Sequence, residues 1–562
     1  MKILGISEID NDAGAALFVD GQLVAAANEE RFSRIKMHAG FPYRAVDWML
    51  RTAKLQTRDL DLVIIVKAEP AAEKTAVTAP LRAYNWWGIK GPLSRRMLNW
   101  LVFHGYRMPR NRLEIGRLGR QIDSWLQDSG IPRHRIVRAH HHRAHAAAAF
   151  FASGFDQALA VTCDGQGEGV TASVYRCAGS TLDLLHEVKT PNSMGFFYAM
   201  VTRALGFRPA RHEGKVTGLA AYEPPDPTAL ALFRELAYPV QGAFETPGVY
   251  GALFDVKRLA QSRGRASIAA AAQAVLEEVV VSYVSHYVRT TGQANLALAG
   301  GVFANVKLNQ RAFEIPGVER IFVFPHMGDG GLGYGGIVDA LAETDGRKGQ
   351  AISDVYWGPQ YTDAEMEAAL IKAGLAYELV PDLERRLGEM LAGGKIVARF
   401  AGRMEFGPRA LGNRSILYAA TDRTVNDWLN KRLRRTEFMP FAPVVLAERG
   451  PDLFQCYRGA QDPAQFMTIT FNCTSMMRDM CPAVVHIDGT ARPQIIRHEV
   501  NPAYYAIINE YRQRTGLPAI INTSFNMHEE PIVMSPDDAI RAFLASGLDV
   551  LAMGPYLCNR ER

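Results

Sequence analysis

The chain is predicted to be an α/β protein made of a duplicated nucleotide-binding fold followed by a second α/β domain, and three observations predict it. The opening residues alternate apolar β-formers around polar turns: strand 2 to 7, strand 14 to 20, an Asp20-Gly21 hairpin turn and strand 22 to 28. The same grammar returns at 158 to 188, again with acidic residues at the first turn. Two such units imply either a duplication with a cleft between its halves or two unrelated hairpin meanders. Thirdly, residues 342 to 353 (AETDGRKGQAIS) turn polar and mark a domain linker, after which strands and helices alternate again.

Further elements follow from local pattern. Residues 269 to 290 carry a broad apolar helical face and read as a core helix, and Lys307 and Gln310 fall on another helix. Beyond the linker come a helix 383 to 392, a strand 395 to 400, and a helix that starts after Ser535, where Ser-x-x-Asp offers an N-cap. An insertion from about Lys67 to Arg120 is basic and aromatic, with Trp86, Trp87 and Trp100. It reads as a solvated helical segment or as a lid or acceptor-binding surface.

Length and composition bound the function. A chain of 562 residues with 48% hydrophobic content has room for two or three packed domains. Lys and Arg number 63 against 58 acids, a net charge of +5, too balanced for a general nucleic-acid binder. The N-terminus does not read as a secretory signal, and no stretch approaches the roughly 20 continuous apolar residues of a membrane span. Six scattered cysteines (163, 177, 456, 473, 481 and 558) fit reduced thiols, so the expected compartment is the cytoplasm.

Three sets of residues carry chemistry. His141 and His145 stand one turn apart on an Ala-rich helix and propose two ligands of a metal site, although a lone HxxxH pair is more often structural or coincidental. The candidate partners are Asp164 and Asp329, each at the end of an apolar strand. Two imidazoles with two carboxylates favour Fe(II), Mn or Zn over calcium and leave a position for substrate. Glycines crowd the same neighbourhoods: Gly165, Gly167 and Gly169, then Gly300 and Gly301 with Asn305, then Gly330, Gly331, Gly333, Gly335 and Gly336. They serve either tight packing or close approach to phosphate, and beside acidic turns they point to ATP. The second domain adds an anion-seeking set: Arg409 and Arg414 within GPRALGNRS, the basic run Lys431 to Arg435 with Arg434, Arg492, and Asn522 and Ser524 within NTSFN.

DNDAGAALFVDG, EERFSRIKMHAGFP, HHRAHAAAAFF, DGQGE, EGKVTGLA, AGGVFANVKLN, GPRALGNRS, EFMPFAP, ARPQII and INTSFN with EEPIV resemble, in order and spacing, the NodU/CmcH carbamoyltransferases. The resemblance implies an ASKHA-type, ribonuclease-H-like (actin-like ATPase) domain over 1 to 345 and a YrdC-like domain over 353 to 562. The second domain would condense ATP, with Mg, and carbamoyl phosphate into carbamoyl adenylate. The first would pass the carbamoyl group to a hydroxyl, or an amine, of a small molecule such as a sugar or natural product. By the same resemblance His141, His145, Asp164 and Asp329 match an iron site. Lys36, Gly165, Lys215, Gly300, Gly301 and Asn305 match the nucleotide cleft, and Arg409, Arg414, Arg492, Asn522 and Ser524 match the carbamoyl phosphate and ATP site.

One departure bears on the transfer step. The family has His-Asp after the first strand, whereas this chain has Asn11-Asp12, and an amide cannot accept a proton as an imidazole can. Either another residue is the base, or the acceptor needs none, or transfer is lost and binding remains. Lys36 is expected to stabilise charge that develops during transfer. The rival enzyme class is an ASKHA small-molecule kinase. No nucleic acid or membrane partner is expected, and a homodimer stays open.

Overall fold

The computed structural model describes residues 1–7, 12–66, 108–434 and 438–560. Asn11, most of the basic aromatic insertion including its three tryptophans, and Arg435 lie outside them. The chain divides into two compact units, Met1–Glu29 with Met37–Ile352, and Glu30–Lys36 with Ser353–Arg562.

The first unit holds two five-stranded sheets of the same topology. In one, β1 (Lys2–Ser7), β2 (Gly14–Val19) and β3 (Gln22–Asn28) form an antiparallel meander, and β4 (Leu62–Val66) and β5 (Ile136–Ala139) add parallel strands on the other side of β1. In the other, β6 (Gln157–Gly167), β7 (Val170–Ala178) and β8 (Thr181–Lys189) repeat the meander, and β9 (Asn295–Ala299) and β10 (Arg320–Val323) repeat the parallel pair beside β6. The strand orders 3-2-1-4-5 and 8-7-6-9-10 superpose element for element, so the two meanders are halves of one duplicated α/β fold.

Helix α1 (His141–Ser153) follows β5 and is buried at every position except Arg143. Its alanines let neighbours come close, and Arg143 reaches out to Asp339 and Glu343, each at 2.8 Å. After α2 (Glu213–Leu219), the long α3 (Arg265–Thr291) and α4 (Val306–Phe313), α5 (Leu332–Asp345) crosses α1 and β1. That crossing is made by glycine: a Cβ on Gly333 would press on the Gly5 carbonyl, one on Gly335 would overlap the Ala144 carbonyl, and one on Gly336 would meet Ile64 and Val66 at 2.9 Å. The reading of these three glycines as part of a phosphate-approaching loop is therefore corrected, because they lie inside a packed helix. The expected linker also begins too early, since α5 runs on to Asp345 and ends at Gly346 in the left-handed region (φ 62°). Among the described residues only α3 is long and apolar enough to cross a membrane, and 72% of its apolar window is buried.

The second unit is built on one eight-stranded mixed sheet. Its strands in chain order are β11 (Glu378–Leu379), β12 (Val397–Phe400), β13 (Arg414–Ala419), β14 (Ala442–Leu446), β15 (Gln494–Ile496), β16 (Ala519–Ser524), β17 (Val550–Met553) and β18 (Tyr556–Asn559). The spatial order is 11-18-17-12-13-16-14-15. Helices α6 (Leu383–Ala392) and α7 (Pro502–Thr515) cover one face over a core that includes Leu387, Leu391, Val397, Leu417, Tyr504 and Ile507. Helix α8 (Pro536–Ser546) starts in a capping box between Ser535 and Asp538.

Residues 30–36 join this unit through two arginines. Arg31 donates to the Gly407 carbonyl (2.7 Å), and Arg34 donates to the carbonyls of Pro531 and Ile532 (2.8 Å each) and pairs with Asp538. Lys36 therefore belongs to the second unit rather than the first.

Candidate metal centre and anion loop

Four side chains remote in sequence converge in the first unit: His141, His145, Asp164 and Asp329, whose ligand atoms all lie within 4.8 Å of one another. His145 Nε2 stands 3.2 Å from Asp164 Oδ2 and 3.4 Å from Asp329 Oδ1, and His141 Nε2 stands 3.7 and 3.6 Å from the same atoms. Ligands bound at about 2.1 Å to one ion would lie about 3.0 to 3.4 Å apart across octahedral or tetrahedral angles. Both imidazole Nε2 atoms are buried and make no hydrogen bond. Buried polar atoms left so and aimed at two carboxylates fit a divalent cation. Burial would raise the Asp164 carboxyl, but the two imidazoles outweigh it and hold it well below the ordinary carboxylate range. It is thus ionised and ready to ligate.

Local structure explains the convergence. Spacing of four residues puts both histidines on one face of α1. Asp164 stands where the β6–β7 ladder breaks register between Cys163 and Gly167, an irregularity that re-aims a side chain out of the sheet. Its Oδ1 accepts the Gly165 N–H at 2.6 Å and its Oδ2 the Gly301 N–H at 3.2 Å. Asp329 opens the short turn into α5.

The glycines expected to approach phosphate serve this turn. A Cβ on Gly167 would overlap the His141 ring, and one on Gly300, whose φ is 104°, would overlap the Cys163 carbonyl. Asn305 departs from the expected nucleotide contact as well. Its Oδ1 caps α4 at Leu308 N, and its Nδ2 donates to Gln273 and Thr217, so its side chain is consumed by the core. Lys215 is buried on α2.

Sequence reasoning passed over His142. Its Nε2 lies 3.0 Å from the Val170 carbonyl, which only accepts, so Nε2 carries the proton and Nδ1 accepts from Thr162 Oγ1 at 2.7 Å. Burial, with the neighbouring His141 and His145, drives its pKa well down and keeps it neutral. The residue anchors α1 to the second sheet. Its signal, a third histidine in the same run, was visible, but the partner was not.

In the second unit the loop 405–414 collects the predicted anion-binding residues. Asn522 Nδ2 donates to the Ala410 carbonyl (3.0 Å) and to Gln494 Oε1 (2.8 Å), and Gln494 donates to the Leu411 carbonyl (2.8 Å). These bonds bring the chain around Arg409, Arg492 and Asn522 together, with Ser524 two residues further along β16. Arg409, Arg492 and Ser524 are partly exposed, whereas Asn522 is buried.

Arg414 does not face a ligand. It is fully buried, donates to the carbonyls of Ala401, Asn413, Pro359 and Gly402, and lies 3.8 Å over the Phe400 ring. Burial lowers its pKa to about 10. Its expected place in the cofactor site gives way to a structural one. Arg434 is exposed with φ 56°, just past the helix Val425–Arg432. The organiser of the loop is Glu405, which pattern did not single out: its Oε1 accepts the N–H groups of Leu411, Asn413 and Arg414 at 2.8, 2.8 and 3.1 Å. A cavity of about 520 Å³ is lined by Arg399, Arg403, Asn413 and Asn501, among others, and by none of Arg409, Arg492, Asn522 or Ser524.

The chain thus joins a duplicated α/β fold bearing a His2Asp2 cluster to a second α/β unit whose loop 405–414 carries Arg409. Residues 2–338 match the family model for the carbamoyltransferase N-terminus and residues 388–560 that for the carbamoyltransferase C-terminus. The chain belongs to the carbamoyltransferase family. It is 32% identical to nodulation protein NolNO of Sinorhizobium fredii over 98% of this chain and 79% of that one. It is also 32% identical to an uncharacterized protein of Synechocystis, over 99% and 96%. Among solved structures, component A of the Acidaminococcus fermentans (R)-2-hydroxyglutaryl-CoA dehydratase is similar at 15% identity and a TM-score of 0.33, covering 61% of this chain and all of that one.

Proposed function

We propose that the enzyme condenses carbamoyl phosphate with ATP to carbamoyl adenylate in its second unit and transfers the carbamoyl group in its first unit to a hydroxyl, or an amine, of a small cytoplasmic molecule. The observation that carries this reading is the convergence of His141, His145, Asp164 and Asp329 on one point in a duplicated α/β fold of a carbamoyltransferase-family chain. A divalent ion there, Fe(II) first among the candidates, would supply Lewis-acid polarisation of a carbonyl or phosphate oxygen.

The chain's own residues do the rest. Arg409 and Arg492 offer guanidinium forks to phosphate oxygens, and Ser524 offers a hydroxyl donor beside them. Asn522 and Gln494 hold the loop so that these groups stay positioned. Forming the labile adenylate away from bulk water guards it from hydrolysis before transfer.

The test is incubation of the full chain with ATP, Mg, carbamoyl phosphate and Fe(II), followed by mass spectrometry. Carbamoyl adenylate, AMP and pyrophosphate are the expected products, with one carbamoyl group gained by a member of a hydroxyl and amine panel. ADP in place of AMP would overturn the reading in favour of a kinase.

A further inference from the structure

Strand β12 carries an arginine on the face where its neighbours are core. Val397 packs under α6 and α7, and Arg399, two residues on, lies on the same side of the sheet. It is only 5% exposed, and its guanidinium lies over the Tyr504 ring of α7 at 5.5 Å. Its Nη1 donates to the Gly412 carbonyl (2.8 Å) and to Asn413 Oδ1 (2.9 Å). Among the described residues, Nε and Nη2 have no hydrogen-bond partner, and no carboxylate forms an ion pair with this guanidinium. Burial draws its pKa down, as it does for a cation taken out of water without a counter-ion.

That edge faces a cavity. Arg399 lines the space of about 520 Å³ described above, which falls within the range of about 300–1,000 Å³ common for small-molecule sites. Unlike Nε of Arg414, its Nε and Nη2 keep accessible surface. The amides around it are used up. Asn501 Nδ2 donates to Tyr356 Oη (3.1 Å) and Asn413 Oδ1 (3.0 Å), Asn501 Oδ1 accepts the Tyr504 N–H (3.1 Å), and Asn413 Nδ2 donates to the Arg403 carbonyl (2.8 Å). Leu383, Leu387 and Ile507 supply apolar wall, and half-buried Glu384 and exposed Asp363 supply negative charge nearer solvent.

The N–H groups of Nε and Nη2 are thus left for an occupant. Side by side, they match the two oxygens of a carboxylate. The acidic side chains oppose a polyanion, and the apolar wall suits a hydrocarbon body. We propose that this cavity binds a small monocarboxylate with an apolar body, its carboxylate held by the Nε–Nη2 edge of Arg399. Nη1 of the same guanidinium holds Gly412 and Asn413, so the occupant bears on the loop that carries Arg409. The site is separate from the residues assigned to carbamoyl phosphate and ATP, and the assignment stands or falls without them.

The test titrates the full chain, without nucleotide, with benzoate, 4-methylpentanoate, phenyl phosphate and 4-methylpentanol, followed by calorimetry and ligand-observed NMR. Both carboxylates should bind saturably at one site per chain. The alcohol should bind at least about tenfold more weakly than 4-methylpentanoate, and phenyl phosphate more weakly than benzoate. Arg399→Leu should weaken both carboxylates by at least about tenfold, and Arg399→Lys, which keeps the charge and gives up the fork, should weaken them too. Arg409→Ala should leave their affinity within about twofold, and carbamoyl phosphate should not displace them. Hydrogen exchange with benzoate bound should gain protection at residues 399–403 and 411–414. Absence of saturable carboxylate binding, full affinity in Arg399→Leu, tighter binding of phenyl phosphate than of benzoate, or displacement by carbamoyl phosphate would each overturn the proposal. So would loss of binding in Arg409→Ala, or protection gained around Arg492 instead. Should Arg399→Leu fail to fold, Arg399→Lys and the exchange map still decide.

Discussion

Glu405 is the residue on which the arginine loop turns, and its removal has a size that the structure sets. One buried carboxylate oxygen accepts three backbone N–H groups, those of Leu411, Asn413 and Arg414. Glu405→Ala leaves all three buried donors without an acceptor, at about 1–3 kcal/mol each before water enters the space, so a net loss of about 3–5 kcal/mol is expected. It also removes the negative charge that partly offsets the burial of the Arg414 guanidinium. Glu405→Gln keeps an oxygen in place and gives up only charge assistance, about 1 kcal/mol per bond, less what an uncharged side chain saves on burial; about 1–2 kcal/mol is expected. The two units need not unfold together, so the assay is hydrogen exchange of the loop itself rather than a single melting curve. Every 1.4 kcal/mol is about tenfold in the opening equilibrium, so Glu405→Ala should lower protection of the Leu411, Asn413 and Arg414 amides by about two to three orders of magnitude, and Glu405→Gln by about tenfold. Unchanged protection in Glu405→Ala would refute the claim that this carboxylate holds the loop.

Two further outcomes concern the metal centre. Asp164→Ala should weaken binding of Fe(II) or Co(II), followed by titration calorimetry, by at least about 100-fold, more than loss of an outer hydrogen-bond partner costs; Gly167→Ala, which alters no ligand but drives a Cβ into the His141 ring, should do the same in direction. His142 has a folded pKa far below its unfolded value, so below pH about 6.5 the unfolded chain binds the extra proton and stability falls, by up to about 1.4 kcal/mol per pH unit, and is full again above that window. Urea midpoints at pH 7.5 and 5.5 should show this loss in the wild type and a smaller one in His142→Gln, and equal losses in the two proteins would contradict it.

What was legible in the sequence was what periodicity encodes. Alternation placed β1 to β3 within a residue, and the 3.6-residue period placed α6 on its observed bounds and α3 within a few residues. The four residues of the metal cluster could be named because His141 and His145 are local neighbours and both aspartates follow apolar runs in the sequence. The glycines were harder. Gly167, Gly300 and Gly335 look alike in sequence, yet their neighbours are an imidazole ring, a strand carbonyl and a helix carbonyl, none of them near in the chain. Glu405, Asn28 and His326 act through partners that lie 6 to 298 residues away, and no local period reports such pairings. The transfer of residues 30–36 to the second unit rests on Arg31 and Arg34 meeting carbonyls more than 370 positions downstream, which is likewise invisible to pattern.

Duplication explains why the first unit carries two acidic clusters rather than one. The two halves share one strand order, and Asp12 follows β1 while Asp164 lies near the end of β6, the corresponding first strands. Each aspartate meets histidine, but by different routes. Asp164 faces two imidazoles on α1, whose Nε2 atoms make no hydrogen bond, and that is an environment for a cation. Asp12 reaches the His326 imidazole through Asn28, and an amide between carboxylate and ring sets a tautomer rather than a coordination shell. The peptide from Asp329 to Gly330 serves both, one residue as ligand and the next as the close-packed neighbour of Asn28 and His326. The two halves therefore present one aspartate to a pair of imidazoles and the other to an amide, and the difference lies in the elements that face each aspartate rather than in the strand order they share.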